Sequence, residues 1–228
     1  MIRGFLFDLD GTLVDSERES GEALARALLR DHGIAIEQSD RDYVIGRSWV
    51  AIYDNLKTRY PQLTWNRDEV IARTAMMRED VFRELGVTIL PGVRAALAWT
   101  EPYPRGLVTG SSRVEATQVL PLIGPEARFE IIVAAEDVGS SKPSPEGYLT
   151  AIAALGLRPE HCLVVEDSQA GIAAGRAAGC LVLAVRAGNF GGWDQSHAHH
   201  IIDTLDAFTP SLVEELFAHY SSAASGAP

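Results

Sequence analysis

Short apolar segments that alternate with helical ones constrain the fold of this chain more than any other feature. They begin with residues 2–7 and continue at 106–108, 131–134, 162–165 and 181–185. Between the later segments the sequence predicts helices over 114–122, 146–155 and 170–178. Strands that are apolar on both faces and alternate with helices are typical of a parallel sheet with helices on both sides. We therefore predict an α/β protein with a doubly wound parallel sheet.

The segment 16–86 is different, because it has helical periodicity and no convincing strand. Helices are predicted at 19–31, 49–60 and 68–85, and Gly33 is a natural C-cap for the first. A helical block between strands one and two of a parallel sheet is typical of an inserted all-α cap. The predicted domains are a Rossmann-like core of residues 1–15 and 87–218, a helical cap of 16–86, and a disordered tail of 219–228.

Composition limits the partners of this chain of 228 residues. The net charge of -11 argues against nucleic acid and anionic membranes, although a local cation can still bind a phosphorylated substrate. The sequence contains no signal-peptide pattern and no apolar run as long as a membrane span. Cys162 and Cys180 do not have metal or redox spacing. We therefore expect a cytoplasmic protein that acts on a small phosphorylated metabolite.

Two carboxylates, Asp8 and Asp10, follow the first predicted strand directly. Positions two apart at a strand end point to the same side, so the charges repel unless a cation neutralises them or they share a proton. The pair therefore predicts a divalent-metal site with a carboxylate nucleophile. Taken alone, it also suits a turn in which either aspartate caps nearby amides.

Polar groups also follow the next three predicted strands. In chain order, these groups are Thr109 in the turn 109–112, Lys142 after a loop, and the pair Glu166 and Asp167. Because the carboxyl ends of parallel strands share one edge, we expect these groups to meet the aspartates there. Hydroxyl, amide and ammonium groups suit phosphate oxygens, and carboxylates suit Mg²⁺. Each motif alone also fits a helix N-cap or a solvated charge, but together they predict phosphoryl transfer.

These motifs resemble those of the haloacid dehalogenase superfamily, in its Mg²⁺-dependent phosphatase branch. Residues 8–16 are similar to its first motif, and the polar groups after strands two to four are similar to its later motifs. The block 16–86 lies where that family carries its C1 cap. Residues 142–146 and 166–172 resemble the subgroup of β-phosphoglucomutase, phosphoglycolate phosphatases and sugar-phosphate phosphatases.

The resemblance implies a role for each matching residue. Asp8 is the nucleophile that becomes an aspartyl phosphate, and Asp10 is the general acid and then the general base. The implied phosphate-binding residues are Thr109, Gly110, Ser111 and Lys142. The implied Mg²⁺ ligands are Asp8, Asp10 through its backbone carbonyl, Asp167, and Glu166 directly or through water.

Several alternatives remain open from the sequence. A β-phosphoglucomutase-like mutase has a cap histidine soon after the first motif, and residues 17–22 contain none, so we predict hydrolysis. A phosphate-sensing module without turnover would not need Asp10 as an acid. Arg47 is the candidate cap contact to a substrate, but it equally suits a surface arginine or one packed on Trp49. The predicted substrates are sugar phosphates or phosphoglycolate.

Overall fold

The five apolar segments form five strands of a six-stranded sheet in which every neighbouring pair is parallel, as predicted. The structure, a computed structural model, describes residues 1–45, 47 and 49–225. Its strands are β1 (Gly4–Phe7), β2 (Val14–Asp15), β3 (Thr88–Ile89), β4 (Arg105–Val108), β5 (Ile131–Val133), β6 (Cys162–Glu166), β7 (Leu181–Val185) and β8 (His200–Ile202). The main sheet has the order β5-β4-β1-β6-β7-β8, and β2 pairs with β3 in a separate two-stranded sheet.

Several helices follow one another between β2 and β3, and the later ones lie between strands or after the last strand. The helices are α1 (Glu17–His32), α2 (Gln38–Tyr43), α3 (Trp49–Arg59), α4 (Arg67–Leu85), α5 (Val93–Thr100), α6 (Arg113–Ile123), α7 (Glu146–Ala154), α8 (Gln169–Ala177) and α9 (Pro210–Ser225). The sequence patterns did not predict α2, α5, α9, the short strands β2 and β3, or the edge strand β8. Among the described residues, we find no helix with the length and apolar character needed to span a bilayer.

The side chains of β1 divide between the two faces of the sheet. Phe5 and Phe7 share one face, where the ring of Phe208 lies edge-on to both, at centroid distances of 5.8 and 6.3 Å. Leu6 belongs to the apolar cluster on the opposite face, together with Val164 of β6. Each of these fully buried side chains contributes about 1.5–3 kcal/mol through removal from water. The central strand is therefore fixed from both faces.

The chain divides into two compact units, Met1–Val14 with the chain from Ile89 onward, and Asp15–Thr88. The second unit starts one residue before the predicted segment 16–86 and ends two residues after it. Within it, α1 packs on α4 and ends at Gly33, whose φ of 64° is left-handed. Gly33 is thus the predicted C-cap.

The structure continues α9 to Ser225, through residues 219–225 of the tail that the sequence predicted to be disordered. Alanine favours helix more than any other residue, and alanines in this stretch extend the helix. The ring of Tyr220 also packs edge-on against His199, with 4.4 Å between centroids. The rest of the predicted tail, residues 226–228, lies outside the described residues.

Candidate active site

The central position of β1 determines which polar residues meet. β1 lies between β4 and β6, with Phe7 in register with both Leu107 and Val165. The chain leaves β1 at Asp8, whose backbone N–H still donates to the Val165 carbonyl over 3.1 Å. The carboxyl ends of the three strands thus lie side by side where the strand order reverses, which is the usual ligand-binding position in such sheets.

Lys142 links two of the predicted acidic residues. Its ammonium donates to Asp8 Oδ1 at 2.5 Å, to Glu166 Oε1 at 2.6 Å and to the Val108 carbonyl at 2.9 Å. These three acceptors match the three N–H bonds of an ammonium group. The lysine side chain is only 16% exposed, so little water competes for these bonds.

Glu166 is fully buried, and both of its carboxylate oxygens accept hydrogen bonds. Besides Lys142, Oε1 accepts from the Tyr148 hydroxyl at 2.9 Å. Oε2 accepts from the backbone N–H groups of Asp167 and Ser168 and from the Ser168 hydroxyl, at 2.9–3.1 Å. A Cβ atom at Gly171 would lie 1.6 Å from Oε1, so only glycine leaves room for this carboxylate.

Asp167 is held through its side chain and through its backbone. Thr12 Oγ1 donates to Asp167 Oδ1 over 3.2 Å, and the buried Gln195 amide donates to the Asp167 carbonyl over 2.6 Å. Gly11, with a φ of 83°, approaches so closely that a Cβ there would lie 2.3 Å from Asp167 Oδ2. The loop that follows β1 and the loop that follows β7 together position this acid.

Burial changes the proton affinity of these groups. It raises the pKa of Asp8 to about 7, against the opposing effect of Lys142 and with smaller increases from Glu166 and Asp10. Burial, followed by the charges of Glu166 and Asp8, holds the pKa of Asp167 well above its usual range. Burial alone would lower the pKa of Lys142, but Asp8 and Glu166 hold it well above its ordinary value. The charged form of Lys142 is therefore favoured, whereas burial disfavours ionisation of Asp8 and Asp167.

Three carboxylates form a cluster that suits a hard cation. One oxygen each from Asp8, Glu166 and Asp167 lies within 4.8 Å of the other two, and all three residues are buried. With three potential negative charges and one lysine, the cluster has an excess of negative charge that a divalent ion would neutralise. An all-oxygen donor set is the kind that Mg²⁺ prefers. The residues therefore fit the divalent metal that the sequence predicts.

Asp10 belongs to a neighbouring group of hydroxyls. Ser111 Oγ donates to Asp10 Oδ2 over 2.6 Å, and Thr109 Oγ1 donates to the same oxygen over a longer 3.4 Å. Thr109 Oγ1 also accepts from the Ser111 backbone N–H at 3.0 Å. Ser112 then caps α6 by accepting from Glu115 N–H. The turn thus presents two hydroxyls beside Asp10 at the start of α6, where the positive end of the helix dipole favours an anion.

Space for a ligand lies next to these residues. A cavity of about 280 Å³ is bordered by Thr109, Gly110, Lys142 and Tyr148, among other residues. Apart from Gly110 itself and its two chain neighbours, no heavy atom of the protein lies within 4 Å of the position that a Gly110 Cβ would take. The structure therefore brings the predicted residues of the first unit together in two adjoining groups, around Lys142 and around Asp10.

Arg47, the remaining candidate, is an exposed residue of the unit Asp15–Thr88. Its guanidinium carbon lies 4.2 Å from the centre of the Tyr43 ring, rather than on Trp49 as one alternative expected. The adjacent residues 46 and 48 lie outside the described residues. A role in substrate binding therefore stays a prediction.

Sequence reasoning missed several supporting residues, namely Tyr148, Ser168, Gly171 and Gln195. The interval of two residues between Glu166 and Ser168 is a local signal, since a hydroxyl two positions after an acid can bond back to it. Gln195 offered no signal, because its partners, the carbonyls of Asp167 and Val185, lie far away in sequence. Contacts of that kind appear only when the chain has folded.

The parallel sheet, the buried acid after its central strand and the lysine bonded to it define an α/β protein with a charged site at the carboxyl ends of its strands. The family model described as haloacid dehalogenase-like hydrolase matches residues 2–179, and the chain belongs to this family. The resemblance expected from the motifs is therefore confirmed.

Two curated relatives and one solved structure illustrate the similarity. Hexitol phosphatase A of Escherichia coli is 36% identical over 198 residues, which cover 81% of this chain and 83% of that protein. Validoxylamine A 7'-phosphate phosphatase of Streptomyces hygroscopicus is 31% identical and covers 96% of this chain and 98% of its own. A putative β-phosphoglucomutase of Thermotoga maritima superimposes with a TM-score of 0.75 at 25% identity, covering 93% of this chain and 99% of that one.

Proposed function

We propose that this chain is a Mg²⁺-dependent phosphatase that hydrolyses small phosphomonoesters through an aspartyl phosphate on Asp8. The observation that carries the proposal is the placement of Asp8. Its buried carboxylate lies 2.5 Å from the Lys142 ammonium and within 4.8 Å of oxygens of Glu166 and Asp167. A carboxylate so placed can attack the phosphorus of a phosphoryl group when neighbouring cations balance the negative charge on the phosphoryl oxygens.

Phosphate release then takes two balanced steps. In the first, an Asp8 oxygen forms a bond to phosphorus, the bond from phosphorus to the ester oxygen breaks, and Asp10 gives its proton to the departing alkoxide. In the second, Asp10 takes a proton from water, whose oxygen bonds to phosphorus. The bond between phosphorus and Asp8 then breaks, and the Asp8 carboxylate and inorganic phosphate are the products.

The remaining residues bind and orient the phosphoryl group. Lys142 and the turn with Thr109, Gly110 and Ser111 would hold its oxygens. Asp8, Asp167, Glu166 and the Asp10 carbonyl would hold Mg²⁺, which supplies charge neutralisation when bound. Ser111 orients the Asp10 carboxylate over 2.6 Å. Most of the rate enhancement in phosphoryl transfer comes from such positioning and charge balance.

The proposed substrates are sugar phosphates or phosphoglycolate. The names of two relatives support this range: one is a hexitol phosphatase, and another, from Photorhabdus laumondii and 30% identical, is a phosphoglycolate phosphatase. Arg47 is the proposed cap contact to the leaving group. The net charge of -11 disfavours nucleic acid and anionic membranes, and we place the enzyme in the cytoplasm.

A β-phosphoglucomutase-like mutase is the second candidate, favoured by the similarity to the Thermotoga maritima protein. A mutase would return the phosphoryl group to a sugar, whereas a phosphatase releases it to water. A third candidate, a binding module without turnover, has no use for the hydroxyls that orient Asp10. Residues 17–22 contain no histidine, which continues to favour hydrolysis.

The test is release of inorganic phosphate from hexose, hexitol and pentose phosphates, glycerol phosphates, phosphoglycolate and nucleotides. Each is assayed with Mg²⁺, with EDTA, and with Asp8→Asn in place of the native protein. We expect Mg²⁺-dependent release from one substrate class and none from Asp8→Asn, because an amide is a poor nucleophile. Phosphate release by Asp8→Asn at the native rate would refute the mechanism, and an isomeric sugar phosphate without free phosphate would establish the mutase.

A further inference from the structure

Tyr148 has contacts that ordinary core packing does not require. It lies on α7, six positions after Lys142, and only 1% of its surface is exposed. Its hydroxyl donates to Glu166 Oε1 over 2.9 Å, on the same oxygen that accepts from Lys142 at 2.6 Å. Two donors on one carboxylate oxygen fix the direction in which that oxygen points.

The aromatic ring of Tyr148 also faces the lysine. The Lys142 nitrogen lies 5.3 Å from the ring centre, within the range of a cation–π interaction. The ammonium is thus bounded by Asp8, Glu166, the Val108 carbonyl and this ring. One side chain therefore contacts Lys142 directly and contacts it again through Glu166.

We propose that Tyr148 is a positioning residue that holds the Lys142 ammonium at nearly equal distances from Asp8 and Glu166. This inference rests on the proposed phosphatase function of the same site. Without the hydroxyl, Glu166 Oε1 would have Lys142 as its one side-chain donor, and the ammonium would shift toward Glu166. The cation would then balance less of the charge on the phosphoryl group that Asp8 attacks.

The cavity beside the phosphate-binding turn supports this role. Tyr148 borders it together with Lys142 and Thr109, so the tyrosine lies beside both the lysine and the space for a ligand. A tyrosine that merely filled the core would need a partner for its hydroxyl, but that partner would not have to be the acid that also binds the lysine.

The first experiment separates the hydroxyl from the ring. Tyr148→Phe removes the hydroxyl alone, Tyr148→Leu removes the ring as well, and Tyr53→Phe is the matched control. The Tyr53 hydroxyl donates over 3.2 Å to the Trp65 carbonyl in the other unit. We expect kcat/KM for the best phosphomonoester to fall about tenfold in Tyr148→Phe, the effect of losing one charge-assisted hydrogen bond, and to fall further in Tyr148→Leu. The inhibition constant of inorganic phosphate should rise in both.

The second experiment needs neither metal nor substrate. Lys57 and Lys142 are the only lysines in the sequence, so an amine-acylating reagent can compare them within one molecule. Lys57 donates to the Leu63 carbonyl and serves as the internal reference. We expect the rate of acylation at Lys142, divided by that at Lys57, to rise in Tyr148→Phe and to rise more in Tyr148→Leu.

The two readouts distinguish failure of the inference from failure of the proposed function. If no phosphomonoester is hydrolysed, the acylation ratio still tests whether Tyr148 holds the lysine. An acylation ratio unchanged in both variants would overturn the inference, as would native kinetics in Tyr148→Phe. A fall in thermal stability with native KM, native phosphate affinity and a native acylation ratio would show a purely structural role and would also overturn it.

Discussion

Ser111 Oγ donates to Asp10 Oδ2 over 2.6 Å, although the two residues are 101 positions apart in the sequence. A residue predicted to supply a phosphate-binding amide thus also contacts the predicted general acid. The hydroxyl holds the Asp10 carboxylate against the turn that precedes α6. If both residues have their predicted roles, orientation of the acid and binding of phosphate would be coupled through one serine.

The first prediction concerns this contact. Ser111→Ala keeps the backbone amide but removes the hydroxyl, so Asp10 is less well oriented for proton transfer. We expect kcat to fall on the order of tenfold with a smaller change in phosphate affinity. Steady-state kinetics with inorganic phosphate as inhibitor measure both. Thr117→Ala, which removes an exposed hydroxyl bonded within α6, is the control, and equal effects of the two substitutions would contradict the prediction.

The second prediction is that Asp8→Asn stabilises the metal-free protein at high pH. Because burial raises the Asp8 pKa from 3.8 to about 7, the folded state binds a proton that the unfolded state has lost in that range. The stability contributed by this group is therefore complete below the unfolded pKa and is lost as pH rises through the folded pKa. With EDTA present, the Tm of Asp8→Asn should exceed that of the native protein more at about pH 8 than at about pH 5.

Asp68→Asn is the control for that measurement, since the side chain of Asp68 is 86% exposed. Glu166 still pairs with Lys142 in Asp8→Asn, so the lysine keeps a buried partner. If the Tm difference between Asp8→Asn and the native protein were the same at both pH values, burial of Asp8 would not be the cause.

The third prediction concerns the metal. Mg²⁺ bound among Asp8, Glu166 and Asp167 would relieve repulsion between buried carboxylates, so we expect Mg²⁺ to raise the Tm. At a concentration of about 100 Kd the gain amounts to about 2.7 kcal/mol. Thermal denaturation over a series of Mg²⁺ concentrations measures it. Asp167→Asn should lose most of the gain, and a gain as large as that of the native protein would argue against Asp167 as a ligand.

The fourth prediction tests the fit of Gly171 to Glu166. A Cβ at position 171 would lie 1.6 Å from Glu166 Oε1, so Gly171→Ala must displace the carboxylate that holds Lys142. We expect destabilisation of about 1–3 kcal/mol and a large loss of kcat/KM. Gly139→Ala is the control, because its nearest atoms, the Glu146 carboxylate oxygens, would lie at an ordinary 3.6–3.7 Å. Equal stability of the two variants in urea would contradict the prediction.

The fifth prediction concerns His199, which accepts from the Val182 backbone N–H over 2.9 Å through Nδ1. Burial, with a smaller effect of Arg176, lowers its pKa from 6.5 to about 4. The unfolded state therefore binds a proton in this interval that the folded state does not, and stability falls as pH drops from about 6.5 to about 4.

His199→Asn provides an acceptor that does not titrate, so it should flatten the dependence of Tm on pH in this interval. The same substitution of the exposed His197 should leave the slope unchanged. If the dependence of Tm on pH changed in His197→Asn and not in His199→Asn, the prediction for His199 would be contradicted. The measurement is thermal denaturation in buffers across the interval.

Much of the sheet could be predicted from the sequence, because its buried strands are continuous apolar runs and helices separate them. The strand β8 was missed because a segment beginning at His200 and only three residues long has too little apolar character to identify. It becomes a strand because β7 offers it backbone partners, with Leu183 in register with His200. The short strands β2 and β3 likewise depend on each other rather than on their own sequence.

The acids and the lysine were identifiable because each follows a strand in a parallel sheet, and the sheet brings strand ends together. Their hydrogen-bond partners were not identifiable, since Tyr148 and Gln195 look like ordinary helix and loop residues. Which oxygen of Glu166 meets Lys142 depends on side-chain directions that no linear pattern encodes. Pattern thus predicts the reacting groups, and packing determines what orients them.

The pairing of β2 with β3 has a consequence for how chains with this fold can evolve. These strands lie where the chain enters and leaves the unit Asp15–Thr88, so the two ends of that unit are neighbours. A segment whose ends meet can be replaced by another of different length without stretching its host. Every residue to which we assign a bond-making or proton-transfer step lies outside it. Mutation and recombination can therefore remodel this unit while the reaction chemistry is inherited unchanged.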